Sequence, residues 1–166
     1  MFSTAAEINT KKKILYFSLT RLDYSLNSVL IKGLRQNGVT VAEFYVKNKG
    51  IGTLAGALSF FRKNIKDADA VMVGYNSQAL VPLLRPLCSK KLIYNAVLSE
   101  YERMVISREL APRFSPKALY YWFIDFVAVH LADVAMVESG RQMDFFRKMF
   151  RVSPKKLYKR WIGADE

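Results

Sequence analysis

A parallel β-sheet of about six strands with helices on both faces is the fold class this sequence predicts. Three observations carry the prediction. Short apolar runs recur along the chain without the in-out alternation of a half-exposed strand, the pattern of strands buried on both faces. Segments with helical spacing of apolar residues separate them, so strand and helix alternate from end to end. The chain has 166 residues, of which 51% are hydrophobic, enough for one domain with a proper core.

The first strand is read at 14–18, after Lys11, Lys12 and Lys13. A polar loop over 19–25 leads into a helix at about 26–37, which Gly38 stops. Residues 39–46 are β-branched and aromatic and form the second strand, broken by 47–50. Leu54, Leu58, Phe61 and Ile65 then recur at helical spacing, with Arg62, Lys63 and Lys66 on the other side. The third strand is 70–74, and a helix over 78–88 contains Pro82 and Pro86, which shorten or kink it. The fourth strand is 91–95, followed by a long segment of mixed charge at 97–115. Ser115-Pro116 opens an aromatic helix to about 131, with proline in the first turn. The fifth strand at 133–137, a helix at 140–150 and a last short strand at 156–161 complete the series. Together these make a Rossmann-like α/β domain over 13–161, preceded by a flexible tail at 1–12. Ligands of such sheets bind at the carboxyl ends of the strands, so the informative loops are 18–26, 47–53, 74–78, 95–115 and 138–141.

The residues exclude several chemistries. A dinucleotide site needs a glycine-rich turn after the first strand, and that turn reads Ser18-Leu19-Thr20-Arg21-Leu22-Asp23-Tyr24-Ser25. The lone Cys88, in an apolar stretch, is read as a buried structural thiol. The lone His130, near a helix end, is read as structural. No cluster has metal-ligand spacing, so neither a metal nor a resident cofactor is expected. A response regulator needs clustered acids at the strand ends, where this chain has Ser18, Asn76 and Asn95.

Charge points to partners. The net charge is +12, from 26 Lys and Arg against 14 Asp and Glu, which suits nucleic acid, an anionic membrane or a phosphorylated substrate. No helix-turn-helix or aromatic RNA-binding strand is recognisable, which argues against nucleic acid. Arg141, Arg147, Lys148, Arg151, Lys155 and Lys156 are the candidate patch for phosphate or anionic lipid. The aromatic helix, with Tyr120, Tyr121, Trp122, Phe123 and Phe126, is expected to be mostly core, any surplus being a surface for lipid or a second domain. The amino terminus does not read as a signal peptide, and the run 118–132 is too short to span a bilayer. The expected location is the cytoplasm, with peripheral attachment to the inner face of a membrane.

Five segments carry a resemblance. Asn37-Gly38-Val39-Thr40-Val41 is a helix-to-strand turn of a recurrent kind. The run 92–103, Leu-Ile-Tyr-Asn-Ala-Val-Leu-Ser-Glu-Tyr-Glu-Arg, is the most specific. Asp133-Val134-Ala135-Met136-Val137-Glu138-Ser139 follows, then Phe145-Phe146 with Phe150-Arg151-Val152, and the chain closes on Trp161-Ile162-Gly163-Ala164-Asp165-Glu166. In order and spacing these resemble the N-terminal, acceptor-side domain of a family 4 retaining glycosyltransferase of two-domain (GT-B) architecture, with 162–166 similar to the start of its interdomain linker. The resemblance implies that a nucleotide-sugar donor, as substrate, sits mostly on a C-terminal domain. It implies that an acceptor, often lipid-linked or membrane-borne, sits on this one. The donor-holding groups of the family lie beyond the linker, so no catalytic residue is assigned here and the chain alone is expected to be inactive. Its expected partner is that donor domain, or a separate donor-binding chain for which this one is a non-catalytic membrane-recruiting subunit. Thr20, Arg21, Ser99, Glu100, Glu102, Arg103, Glu138 and Ser139 are the expected cleft residues. Two departures stand out. The family's Gly-Gly loop is replaced by 20–25, and its histidine after the fourth strand by a stretch holding Ser99, Glu100 and Glu102.

Overall fold

A computed structural model of the chain describes residues 12–46 and 52–161. The predicted tail (apart from Lys12), the break at 47–50 and the linker at 162–166 lie outside the described residues. Six strands form one sheet: β1 (Lys13–Ser18), β2 (Thr40–Tyr45), β3 (Ala70–Val73), β4 (Lys91–Val97), β5 (Val134–Val137) and β6 (Leu157–Lys159). All pairings are parallel, in the order β2-β1-β3-β4-β5-β6. The predicted Rossmann-like α/β fold is the observed one.

The helices are α1 (Ser25–Gln36), α2 (Gly52–Asn64), α3 (Leu80–Leu84), α4 (Pro116–Leu131) and α5 (Gly140–Phe150). Their ends follow local chemistry. Gly38, at φ 76°, lets the chain leave α1 through bonds from Gly38 N to Arg35 O and from Val39 N to Leu34 O. Ser115 and Ser139 cap α4 and α5, each side chain accepting from the backbone N–H three residues on. Helix α3 is shorter than the 78–88 reading, because Pro82 and Pro86 limit it to Leu80–Leu84 before a 3₁₀ turn at Arg85–Leu87. The segment of mixed charge at 97–115 contains a π-helical turn over Glu102–Ser107.

The two sheet faces are covered unequally. Helices α2 to α5 build the larger core, where Phe61, Leu84, Val129, Phe146 and Phe150 meet Leu15, Phe17, Val73, Leu92 and Val137. Helix α1 covers the other face with Ile31, Leu30 and Leu34 against Tyr16, Val41 and Met72. Because α1 after β1 and α3 after β3 lie on opposite faces, the β1 and β3 loops part at the carboxyl edge, which is the switch point where open sheets hold ligands.

Gly74 ends β3 at that point. A Cβ there would stand 2.6 Å from Tyr16 Oη and 3.0 Å from Asn27 Oδ1. Both atoms are fixed by a buried hydrogen bond, the Tyr16 hydroxyl donating to Asn27 Oδ1 at 2.8 Å. Gly74→Ala should therefore cost about 2 kcal/mol by overpacking, read as a lower urea midpoint with an unchanged slope. Wild-type stability in this variant would show that the contact yields freely.

Candidate functional site

The switch-point crevice is filled by the protein itself. Asn27 Nδ2 donates to Thr20 Oγ1 (3.0 Å), Ser18 Oγ (3.2 Å) and Arg21 O (3.2 Å), while Oδ1 accepts from the Tyr16 hydroxyl and Tyr75 N. Ser77 Oγ accepts from Leu19 N at 2.7 Å and donates to Tyr75 O at 3.0 Å, which stitches the β3 loop to the β1 loop. Ser18, Asn27 and Ser77 are fully buried. The loop without glycine thus holds its form through side-chain hydrogen bonds, and these occupy the space where a phosphate would need bare backbone.

The usable concavity lies one strand over. A pocket of ≈ 180 Å³ opens between the β1 loop (Leu19), the β3 loop (Asn76, Gln78, Ala79), Glu100, and the α4 side chains Tyr120, Tyr121 and Ile124. Asn76, at φ 53°, turns the β3 loop into it. On the β4 side the register shifts between Asn95 and Val97, and Val97 is held at φ 48°, costly for a β-branched residue. That strained turn drops Ser99 into the interior and leaves Glu100 on the pocket wall.

Glu100 and Arg103 form a two-pronged ion pair, with Arg103 Nε donating to Glu100 Oε2 at 3.0 Å. Their side chains are only 13% and 21% exposed, so the pair is a fixed feature of the wall. The pairing raises the Arg103 pKa above its ordinary value. Tyr75 lies near Arg103; burial raises its pKa, and its ring stacks on Tyr24 with centroids 5.7 Å apart. Arg103 lies on the π-helical turn, with Glu100 two residues before its start. The turn's wide backbone bond runs from Arg108 N to Arg103 O, and single π turns of this kind cluster at functional sites. Glu102 accepts from Gln142 Nε2 at 2.7 Å and so ties the turn to α5.

The expected cleft residues divide. Glu100 lines the pocket, with Arg103 paired to it and Glu102 on the same turn. Thr20 belongs to the switch-point network. Arg21 pairs with Asp23 in solvent, in a separate open groove of ≈ 380 Å³ toward β2. Ser99 is fully buried and accepts from Glu102 N at 3.1 Å, a capping role rather than a cleft one. Ser139 caps α5, and Glu138 faces Arg160 electrostatically. Tyr75 and Gln78 are not among the expected site residues, and Asn76, Tyr120 and Tyr121 are read from the sequence only as a strand end and as parts of the aromatic helix. The loop at 74–78 had been marked by its place after a strand, but no periodicity says which of its residues faces the groove.

The basic run also divides. Arg141 sits in the first turn of α5 at the carboxyl edge, whereas Arg147, Lys148 and Arg151 line an open groove of ≈ 480 Å³ at the other end of that helix. Lys155 and Lys156 follow in a 3₁₀ turn at that same end. Lys156 Nζ donates to His130 O (2.6 Å) and Ala132 O (2.9 Å), capping α4. His130 Nδ1 lies 2.9 Å from Phe126 O, in keeping with a structural role. Among the described residues no group of three or more His, Cys, Asp or Glu could hold a metal, and no helix is long and apolar enough to cross a membrane.

Beneath the pocket wall lies Asp125 of α4. Its Oδ2 accepts from the Ser99 hydroxyl at 2.7 Å and from Tyr101 N at 2.9 Å, anchoring the segment that carries Glu100 and Arg103. Oδ1 is buried without a hydrogen-bond partner among the described residues. Burial outweighs these bonds and pushes the carboxyl pKa up to about 7. A carboxyl that binds its proton more tightly when folded contributes most below its unfolded pKa of about 4 and loses that contribution as pH rises through 7. Relative to Asp125→Asn, the wild type should therefore lose a few kcal/mol of stability between pH 4 and 8, of order 3. Parallel pH curves for the two proteins in urea melts would refute the assignment.

No family model and no curated protein matches the sequence. Among solved structures, the fold is similar to that of HepE from Anabaena, crystallised in complex with UDP, with a TM-score of 0.56 at 12% identity. The match covers 92% of this chain and 44% of HepE, so this chain spans less than half the length of that protein. The likeness shows a shared α/β fold.

Proposed function

We propose that this chain is the acceptor-binding lobe of a glycosyltransferase that moves a sugar from a nucleotide-sugar donor to a lipid-linked or membrane-borne acceptor. The observation that carries the proposal is the division of the carboxyl edge. The switch-point crevice is packed with the side chains of Ser18, Thr20 and Asn27, whereas the adjoining pocket keeps an open polar and aromatic wall. Such a lobe suits an uncharged or extended acceptor better than a diphosphate, and leaves the nucleotide to another lobe. The likeness to less than half of a UDP-bound protein supports that division. So does the family 4 resemblance of the segments at 92–103 and 133–139.

In this reading Glu100 and Arg103 form a rigid polar wall, and Gln78 and Asn76 offer amide hydrogen bonds to acceptor hydroxyls. The protein's contribution is positioning, which alone can supply much of a transferase's rate. The filled switch point equally suits a non-catalytic lobe that recruits a separate donor-binding chain. Both readings place acceptor binding in the same pocket.

Transfer of radiolabelled sugar from UDP-sugars into a membrane lipid extract tests the proposal. The 166-residue chain alone should give none, and the two-lobed assembly should transfer. Within that assembly Gln78→Ala and Arg103→Ala should each lower kcat/KM about tenfold or more, Gln78→Ala without a change in Tm. Transfer by the isolated chain, or indifference of the assembly to both substitutions, would overturn it.

A further inference from the structure

Between the π-helical turn and the middle of α4, the usual placement of apolar side chains is inverted. Ala111 and Ala118 are buried with Val105 in a small satellite core, and Tyr101, Met104 and Tyr121 pack against it. The large residues point the other way. Leu110, Leu119, Tyr120 and Phe123 are each more than half exposed, and Phe114 is 101% exposed. The segment that displays them is firmly held. Leu110 N donates to Met104 O (2.9 Å), Ser115 N to Pro112 O (2.9 Å) and Ala118 N to Ser115 Oγ (3.1 Å). A fixed turn thus presents a phenylalanine wholly to water, the most costly arrangement for that side chain in solution.

Cations surround these tips. Arg108, Arg113 and Lys117 are exposed among them, against a single exposed acid, Glu109. Lys117 Nζ lies 6.0 Å from the Tyr121 ring, so its charge stays at the level of the aromatic band. We infer that residues 108–123 form a wedge that inserts into the interface of an anionic bilayer, Phe114 foremost, with Arg113 and Lys117 at the phosphate level.

Two features favour lipid over a protein partner. Phe114 stands wholly exposed, which a bilayer accepts without a complementary hollow. The apolar tips also alternate with Arg and Lys, as in interfacial membrane segments, whereas protein interface cores are depleted of charge. The wedge is continuous with the pocket, because Tyr120 belongs to both. The basic groove of Arg147, Lys148 and Arg151 stands at the opposite end of the sheet, where α5 returns to the amino edge. The inference deepens the acceptor-lobe proposal by naming the surface from which its acceptor is reached. It rests on that proposal for the acceptor only, since the contact with lipid needs no donor.

Co-sedimentation of the chain with phosphatidylcholine vesicles, with and without phosphatidylglycerol, tests it. Binding should require the anionic lipid and weaken with salt. Phe114→Ser should lower partitioning about tenfold, and Arg113→Gln and Lys117→Gln about fivefold each. The double variant Arg147→Gln/Lys148→Gln should bind as wild type. Far-UV circular dichroism confirms that each variant is folded. An absence of vesicle binding, losses confined to the Arg147/Lys148 variant, or a self-association in solution that Phe114→Ser abolishes would each overturn the inference. Vesicle binding without sugar transfer by the assembly would retain the wedge and remove the glycosyltransferase reading.

Discussion

The amide of Asn27 is the constraint on which the carboxyl edge depends. Its single buried side chain joins β1, the loop after it, α1 and the β3 loop. Its cost is a fully desolvated polar group on the first turn of a helix, offset because both its donor and its acceptor atoms find partners. The requirement propagates. Tyr16 must supply a hydroxyl, Gly74 must lack a Cβ, and Ser77 must hold the second loop against the first. Burial holds the Tyr16 hydroxyl well above its ordinary pKa, so it remains a donor throughout the physiological range.

The fold was legible because its signals are summed over many residues. Each strand announced itself as an apolar run, and each helix as a period, so small errors at the ends did no damage. Even the shortened α3 was foreshadowed by Pro82 and Pro86. The site was legible only where composition and place coincided. Glu100 and Arg103, singled out because charged residues stand together after a strand, lie at the pocket wall and pair there. Ser99, named among the cleft residues by resemblance, is buried and donates to Asp125, 26 residues away on an element whose packing no local pattern reveals. Gln78 and Tyr120 meet at the pocket through long-range packing of the same kind.

The pocket wall and the wedge share one support. Asp125 holds the beginning of the turn that carries Arg103, and the satellite core of Val105, Ala111 and Ala118 holds its end. Both act through α4, which is capped by Ser115 at one end and by Lys156 at the other. A single helix thus serves three neighbours: the sheet through Trp122, Phe126 and Val129, the pocket through Tyr121 and Ile124, and solvent through Leu119 and Phe123. This explains why its sequence is apolar nearly all round without being a simple core helix.

Asn95 sits near the end of β4, fully buried, close enough to the Tyr16 hydroxyl to lower its pKa, yet with neither its amide nitrogen nor its oxygen in good hydrogen-bond geometry with a described residue. An idle amide of this kind typically costs a protein about 1–3 kcal/mol, a sizeable fraction of the margin that separates folded from unfolded chains. A leucine of similar volume would be free of that penalty. The present lobe therefore gives up part of the stability open to its architecture in β4, just before the backbone changes course toward the pocket.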